Sequence, residues 1–107
     1  MVDIPNRVKI TVLRRFSTDE VFKDPPVKAK YSGRCSALKD GQEFIVTEEK
    51  SLVMPEGFCP FAWDSIFWAV MTLRSNGDFL EWYEDPGVAI WSCPDGLQPV
   101  IFKLERN

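Results

Sequence analysis

The chain predicts an α+β fold: a small, mostly antiparallel sheet with one long helix packed on it. Three observations predict it. Residues 8–13 alternate apolar and polar side chains, the period of a half-buried strand. Residues 60–74 form an apolar segment bracketed by helix start and stop signals. Two strand-like segments flank Pro94-Asp95-Gly96 near the end of the chain, the pattern of a hairpin with a glycine-containing loop. With 107 residues, the chain suits a single domain over 1–107.

The elements follow in order. The first strand puts Val8, Ile10 and Val12 on its core face and continues through Arg14 and Arg15. Ser17 and Glu20 stand at capping-box spacing and start a short helix, which Asp24-Pro25-Pro26 ends. Residues 27–41 carry no clear periodicity and close on the turn signal Asp40-Gly41. Residues 42–47 read as a second strand. Pro60 suits the first helical position, where its missing N–H costs nothing, so Cys59 falls at the N-cap. This helix runs to Arg74 or Ser75 and stops at Asn76-Gly77. It is apolar nearly all round, because Phe61, Trp68 and Met71 lie off the face built from Ala62, Ile66, Ala69 and Leu73. Such a helix is expected to be covered on more than one side, by a second layer or a second subunit. Residues 79–83 read as one more helical turn, and residues 88–93 and 100–104 as the hairpin strands.

Composition narrows the chemistry. There is no histidine, so no Ser/His triad forms and the commonest general base and metal ligand are missing. No glycine-rich phosphate loop is present. No apolar run is long enough to span a bilayer, and the N-terminal residues lack a secretory signal. Three cysteines leave one unpaired if any disulfide forms, which favours a reducing, cytoplasmic setting. Residues 1–39 carry nine basic against four acidic side chains, and residues 40–107 carry four against twelve. The two halves are expected to neutralise each other on folding, and no clustered basic face argues for a nucleic-acid partner.

Four motifs share the chain: Gly33-Arg34-Cys35, the run from Gly41 to Val46, Pro55-Glu56-Gly57-Phe58-Cys59 with Ala62-Trp63, and Cys93-Pro94-Asp95-Gly96 continuing through Pro99 to Arg106. Together they resemble an uncharacterised family of small bacterial, archaeal and fungal proteins of about this length. The resemblance covers the chain except residues 17–30, which are longer than that family's pattern. It implies no particular activity. It does imply that Cys35, Cys59 and Cys93 all belong to family motifs.

The residues themselves offer a short set of candidates. Cys59 at a helix N-terminus is a candidate thiolate or thiol acid/base, since that end of a helix favours negative charge. The structural alternative is a small buried hydrophobe between Phe58 and Phe61. Asp64, near the first turn and flanked by Trp63, Phe67 and Trp68, is a candidate general acid/base, with helix-start electrostatics as its ordinary explanation. Cys93 and Asp95 sit at the hairpin tip, where Asp95-Gly96 is also plain turn chemistry. Trp63, Phe67, Trp68 and Trp91 could wall a ligand pocket or simply fill a core. Tyr31 and Tyr83 are further proton donors. Cys35, Cys59 and Cys93 could bind zinc or an iron–sulfur cluster, although none belongs to a Cys-x-x-Cys pair.

These candidates order three expectations. The first is a small-molecule enzyme without an organic cofactor, doing lyase, isomerase or cyclase chemistry by acid/base steps on an apolar or aromatic substrate. The second is a cysteine-based metal-binding or redox protein. The third is a non-catalytic binding or subunit-interaction module, motivated by the all-round apolar helix, with a homo-oligomer as its form.

Overall fold

The computed structural model describes residues 5–28, 30, 32–49 and 51–107. Its elements are β1 (Val8–Arg15), α1 (Thr18–Val21), β2 (Glu43–Val46), α2 (Pro60–Arg74), β3 (Val88–Ser92) and β4 (Val100–Arg106). The strands form one antiparallel sheet in the order β2-β1-β4-β3. The protein is therefore α+β, with α2 laid on one face of a four-stranded sheet. No helix among the described residues is long and apolar enough to cross a membrane.

Alternation explains the sheet. Val8, Ile10 and Val12 of β1 are fully buried, as are Phe102 and Leu104 of β4. On this face Val8 and Ile10 stand opposite Val46 and Phe44 of β2. The opposite face carries charge. Lys9 pairs with Glu43 at 3.5 Å and with Glu105 at 3.7 Å, and Lys103 with Glu105 at 3.5 Å. One feature escaped the alternation pattern. Val12 faces Phe102 while Arg14 faces Ile101, so Leu13 is the extra residue of a β-bulge. The bulge pushes Leu13 outward and re-aims the two arginines beyond it.

The helix signals hold at both ends. Cys59 is the N-cap and Pro60 the first helical residue. At the far end Asn76 takes a left-handed φ of 65°. Its N–H bonds the Leu73 carbonyl at 3.3 Å, and the Gly77 N–H bonds Thr72 at 2.8 Å. This is a Schellman cap. Gly77 is needed for space: a Cβ there would lie 2.9 Å from the Thr72 carbonyl oxygen. Arg106 adds a cation, donating to the Leu73 and Gly77 carbonyls at 2.9 and 2.7 Å.

α2 buries Ala62, Ile66, Ala69, Val70 and Leu73 against the sheet. The expected second cover is not supplied by the described residues, since Phe61 is 76% and Trp68 68% exposed. The charge halves do meet. Arg7 binds Glu48 at 3.1 Å, Arg15 binds Asp40 at 3.1 Å, and Lys9 holds its two glutamates from the acidic half.

Candidate functional site

Cys59 is positioned by its neighbours. Gly57 has φ +83°, a left-handed conformation that turns the connector inward. Phe58 then enters the core, with its ring 5.0 Å from Phe44 and 5.4 Å from Phe102. Pro60 starts the helix immediately afterwards. The Cys59 side chain makes no capping hydrogen bond and stays half-buried. Of the two readings of its neighbourhood, Phe58 takes the buried place and Phe61 the exposed one.

Cys93 closes the β3–β4 hairpin. Its N–H donates to the Val100 carbonyl at 3.0 Å. The return bond goes to sulfur, with the Val100 N–H donating to Cys93 Sγ at 3.3 Å. Asp95 holds the loop beyond it, accepting the Leu97 and Gln98 N–H groups at 2.8 and 3.3 Å. Ser65 of α2 donates to the Ser92 carbonyl at 2.8 Å. That bond ties the helix to the strand end that carries Cys93.

Cys35 comes from the segment whose pattern was unreadable. Leu38 anchors that segment in the core. Arg15, re-aimed by the bulge, donates to the Cys35 carbonyl at 2.8 Å while bound to Asp40. Arg34 donates to the Arg15 carbonyl at 3.2 Å and binds Glu20 at 2.7 Å. From the hairpin side, Gln98 donates to the Gly33 carbonyl at 2.6 Å. Hydrogen bonds and ion pairs favour the charged form of Glu20 and Asp40. Glu20 is held down to about 2, first by the Ser17 N–H and hydroxyl, then by Arg14 and Arg34. The Arg15 guanidinium likewise lowers Asp40.

These three segments border a half-open cavity of about 620 Å³ whose walls include Cys35, Leu38, Phe58, Cys59, Phe61, Cys93, Asp95 and Gln98. All three thiols are free and half-buried. Among the described residues, no group of three or more Cys, Asp or Glu side chains gathers closely enough to hold a metal ion as arranged.

The remaining candidates lie elsewhere. Asp64 is exposed and borders a separate recess of about 400 Å³ with Trp63, Phe67 and Trp68. Trp91 borders another recess beside Ile90 and Ile101, its ring 5.4 Å from Phe79. Trp91 therefore stands apart from the other three aromatic candidates, and none of the four lines the thiol cavity. The Tyr83 hydroxyl is engaged by the Ile90 backbone, donating to its carbonyl at 3.1 Å and accepting its N–H at 3.0 Å. Tyr31 lies outside the described residues. Sequence reasoning missed Leu38 and Gln98 as wall residues. A lone leucine in a basic, polar stretch was a readable hint for Leu38; Gln98 carried no signal.

Comparison with protein-family models, curated proteins and solved structures returns no match.

Proposed function

We propose that the chain is a small-molecule enzyme that works without an organic cofactor, by proton-transfer chemistry of the lyase, isomerase or cyclase kind, on an apolar or aromatic substrate. One observation carries this reading: Cys35, Cys59, Cys93 and Asp95, from three distant segments, line a single largely apolar cavity. Cys59 is the reactive group, because charge developing on its sulfur lies at the N-terminus of a 15-residue helix. Cys93 assists from the facing hairpin, and Asp95 shapes that hairpin. Asp64 has no part in it, since it opens onto the outer face.

The test begins with neutral aromatic compounds screened for binding by thermal shift. Turnover of the hits is then compared for wild type, Cys59→Ser and Asp64→Asn. The reading expects Cys59→Ser to bind without turnover and Asp64→Asn to retain both. Full turnover by a folded Cys59→Ser protein overturns it.

The same three thiols support a second reading, a thiolate site for zinc or an iron–sulfur cluster formed after the loops draw together. Elemental analysis and visible absorbance of protein purified without oxygen test it, and a metal-free sample with three titrating thiols counts against it. Three unpaired cysteines also suit a reducing, cytoplasmic setting. Phe61 and Trp68, exposed on one side of α2, support self-association into a homo-oligomer. A monomer in light scattering at every concentration would remove that part. The pairing of basic with acidic side chains gives a nucleic acid little to hold.

A further inference from the structure

We infer that the cavity takes a neutral, apolar electrophile of the α,β-unsaturated carbonyl class, and that Cys59 adds to its β-carbon. The inference rests on reading the cavity as a substrate site, and it names that substrate's chemistry.

Charge makes the first selection. Among the described residues on the cavity wall there is no lysine or arginine, and Asp95 is the only carboxylate. Lys30 and Arg34 line a neighbouring recess that shares Cys35, Ala37 and Gln98, so a phosphate or carboxylate held against the cavity wall itself meets no side-chain cation. Leu38, Phe58, Phe61 and Val100 supply apolar wall instead. A volume of about 620 Å³ is in the range of small-molecule sites.

The thiols make the second selection. Cysteine is the strongest nucleophile among the side chains present, and a polarised carbon–carbon double bond is the soft electrophile that matches sulfur. The position of Cys59 provides for the charge that such an addition creates. The first intrahelical bond of α2 runs from the Trp63 N–H to the Cys59 carbonyl at 2.9 Å. Pro60 has no N–H, so helix geometry leaves the Phe61 and Ala62 N–H groups without intrahelical partners. Both residues are on the cavity wall. They are suited to receive the oxygen on which negative charge accumulates.

The step balances without a co-reactant. The Cys59 thiol gives its proton to solvent, and its sulfur lone pair forms a bond to the β-carbon. The alkene π pair becomes the new double bond to the carbonyl carbon, and the carbonyl π pair moves to oxygen. Protonation at the α-carbon completes a thioether adduct. Alternatively, rotation about the new single bond and expulsion of the thiolate regenerate the alkene with the opposite geometry. That second outcome is an isomerisation needing no oxidant, reductant or metal.

Two maleimides of equal reactive core test this on the intact protein: neutral N-phenylmaleimide and anionic 4-maleimidobenzoate. Rates are normalised to those with N-acetylcysteine, and the modified residue is mapped by peptide mass spectrometry. The expected result is first modification at Cys59, with the neutral probe favoured roughly tenfold or more. Equal normalised rates, or a first adduct on Cys35 or Cys93, overturn the inference. Unreactive N-phenylsuccinimide is added in a parallel arm. If it protects Cys59 while the two maleimides react equally, the substrate class fails and the cavity reading stands. If it gives no protection, both fail.

Discussion

Phe58 and Gly57 do as much for Cys59 as any group that could react. The buried ring fixes one side of the cysteine and the left-handed glycine sets the approach of the chain. Adding a Cβ at Gly57 meets only an ordinary contact, 3.9 Å from Phe44. The penalty of Gly57→Ala is therefore backbone strain, about 1–2 kcal/mol, and urea denaturation should register it. Slower modification of Cys59 should accompany the loss. A second residue-scale prediction concerns acid. The Glu20 carboxyl is held down to about 2, against an ordinary value of 4.5. A depressed folded value means stability that is complete above the unfolded value and lost as pH falls through the folded one. Melting temperatures of wild type and Glu20→Gln should thus differ near neutrality. The gap should close between about pH 4.5 and 2; a gap independent of pH would show that Glu20 acts by packing alone.

At the scale of elements, α2 is delimited by two different devices. Its start combines Cys59 and Pro60, and its end combines a Schellman cap with the Arg106 cation. Gly77→Ala would force a Cβ to 2.6 Å from Thr72 Cγ2 and 2.9 Å from its carbonyl oxygen. A loss of about 2 kcal/mol is expected, because the obstruction includes backbone. Equilibrium unfolding measures it. The β3–β4 hairpin depends similarly on Asp95. Asp95→Ala removes the acceptor for two loop N–H groups and should cost about 1 kcal/mol. It should also loosen the wall that carries Cys93. The element-scale surprise is the bulge at Leu13. Without it, strict alternation would send Arg15 to the opposite face, away from the Cys35 carbonyl.

For the whole molecule, one core supports both sheet and cavity. Phe102 is fully buried beneath α2 and touches Phe58, the anchor of Cys59. Phe102→Ala should cost about 3–5 kcal/mol by the cavity it leaves, read from denaturant midpoints. Phe61→Ala should do the reverse. Being 76% exposed, it should change stability by no more than about 0.5 kcal/mol. Because Phe61 lines the cavity, its removal should still weaken binding of a neutral aromatic ligand, measured by titration calorimetry. The opposite pattern would mean that Phe61 serves packing and the cavity does not bind such ligands.

Much of the fold was legible because its signals are local. Val8, Ile10 and Val12 declare a core face by alternation. Pro60 and Asn76-Gly77 declare the ends of a helix within a turn of themselves, and Ser17 with Glu20 declares a cap. These properties depend on residues close together in the chain, so the sequence by itself determined them, along with the N-cap place of Cys59 and the absence of histidine chemistry. The companions of Cys59 were decided by the tertiary structure. Asp64, close to it in sequence, turns outward because successive helical residues face different directions. Cys35 and Cys93, far from it in sequence, reach the same cavity. They do so because a bulge aims Arg15 at one loop, Ser65 holds the hairpin to the helix, and Gln98 joins the two loops. None of those contacts has a period or a local code; each exists only once the sheet and helix have packed.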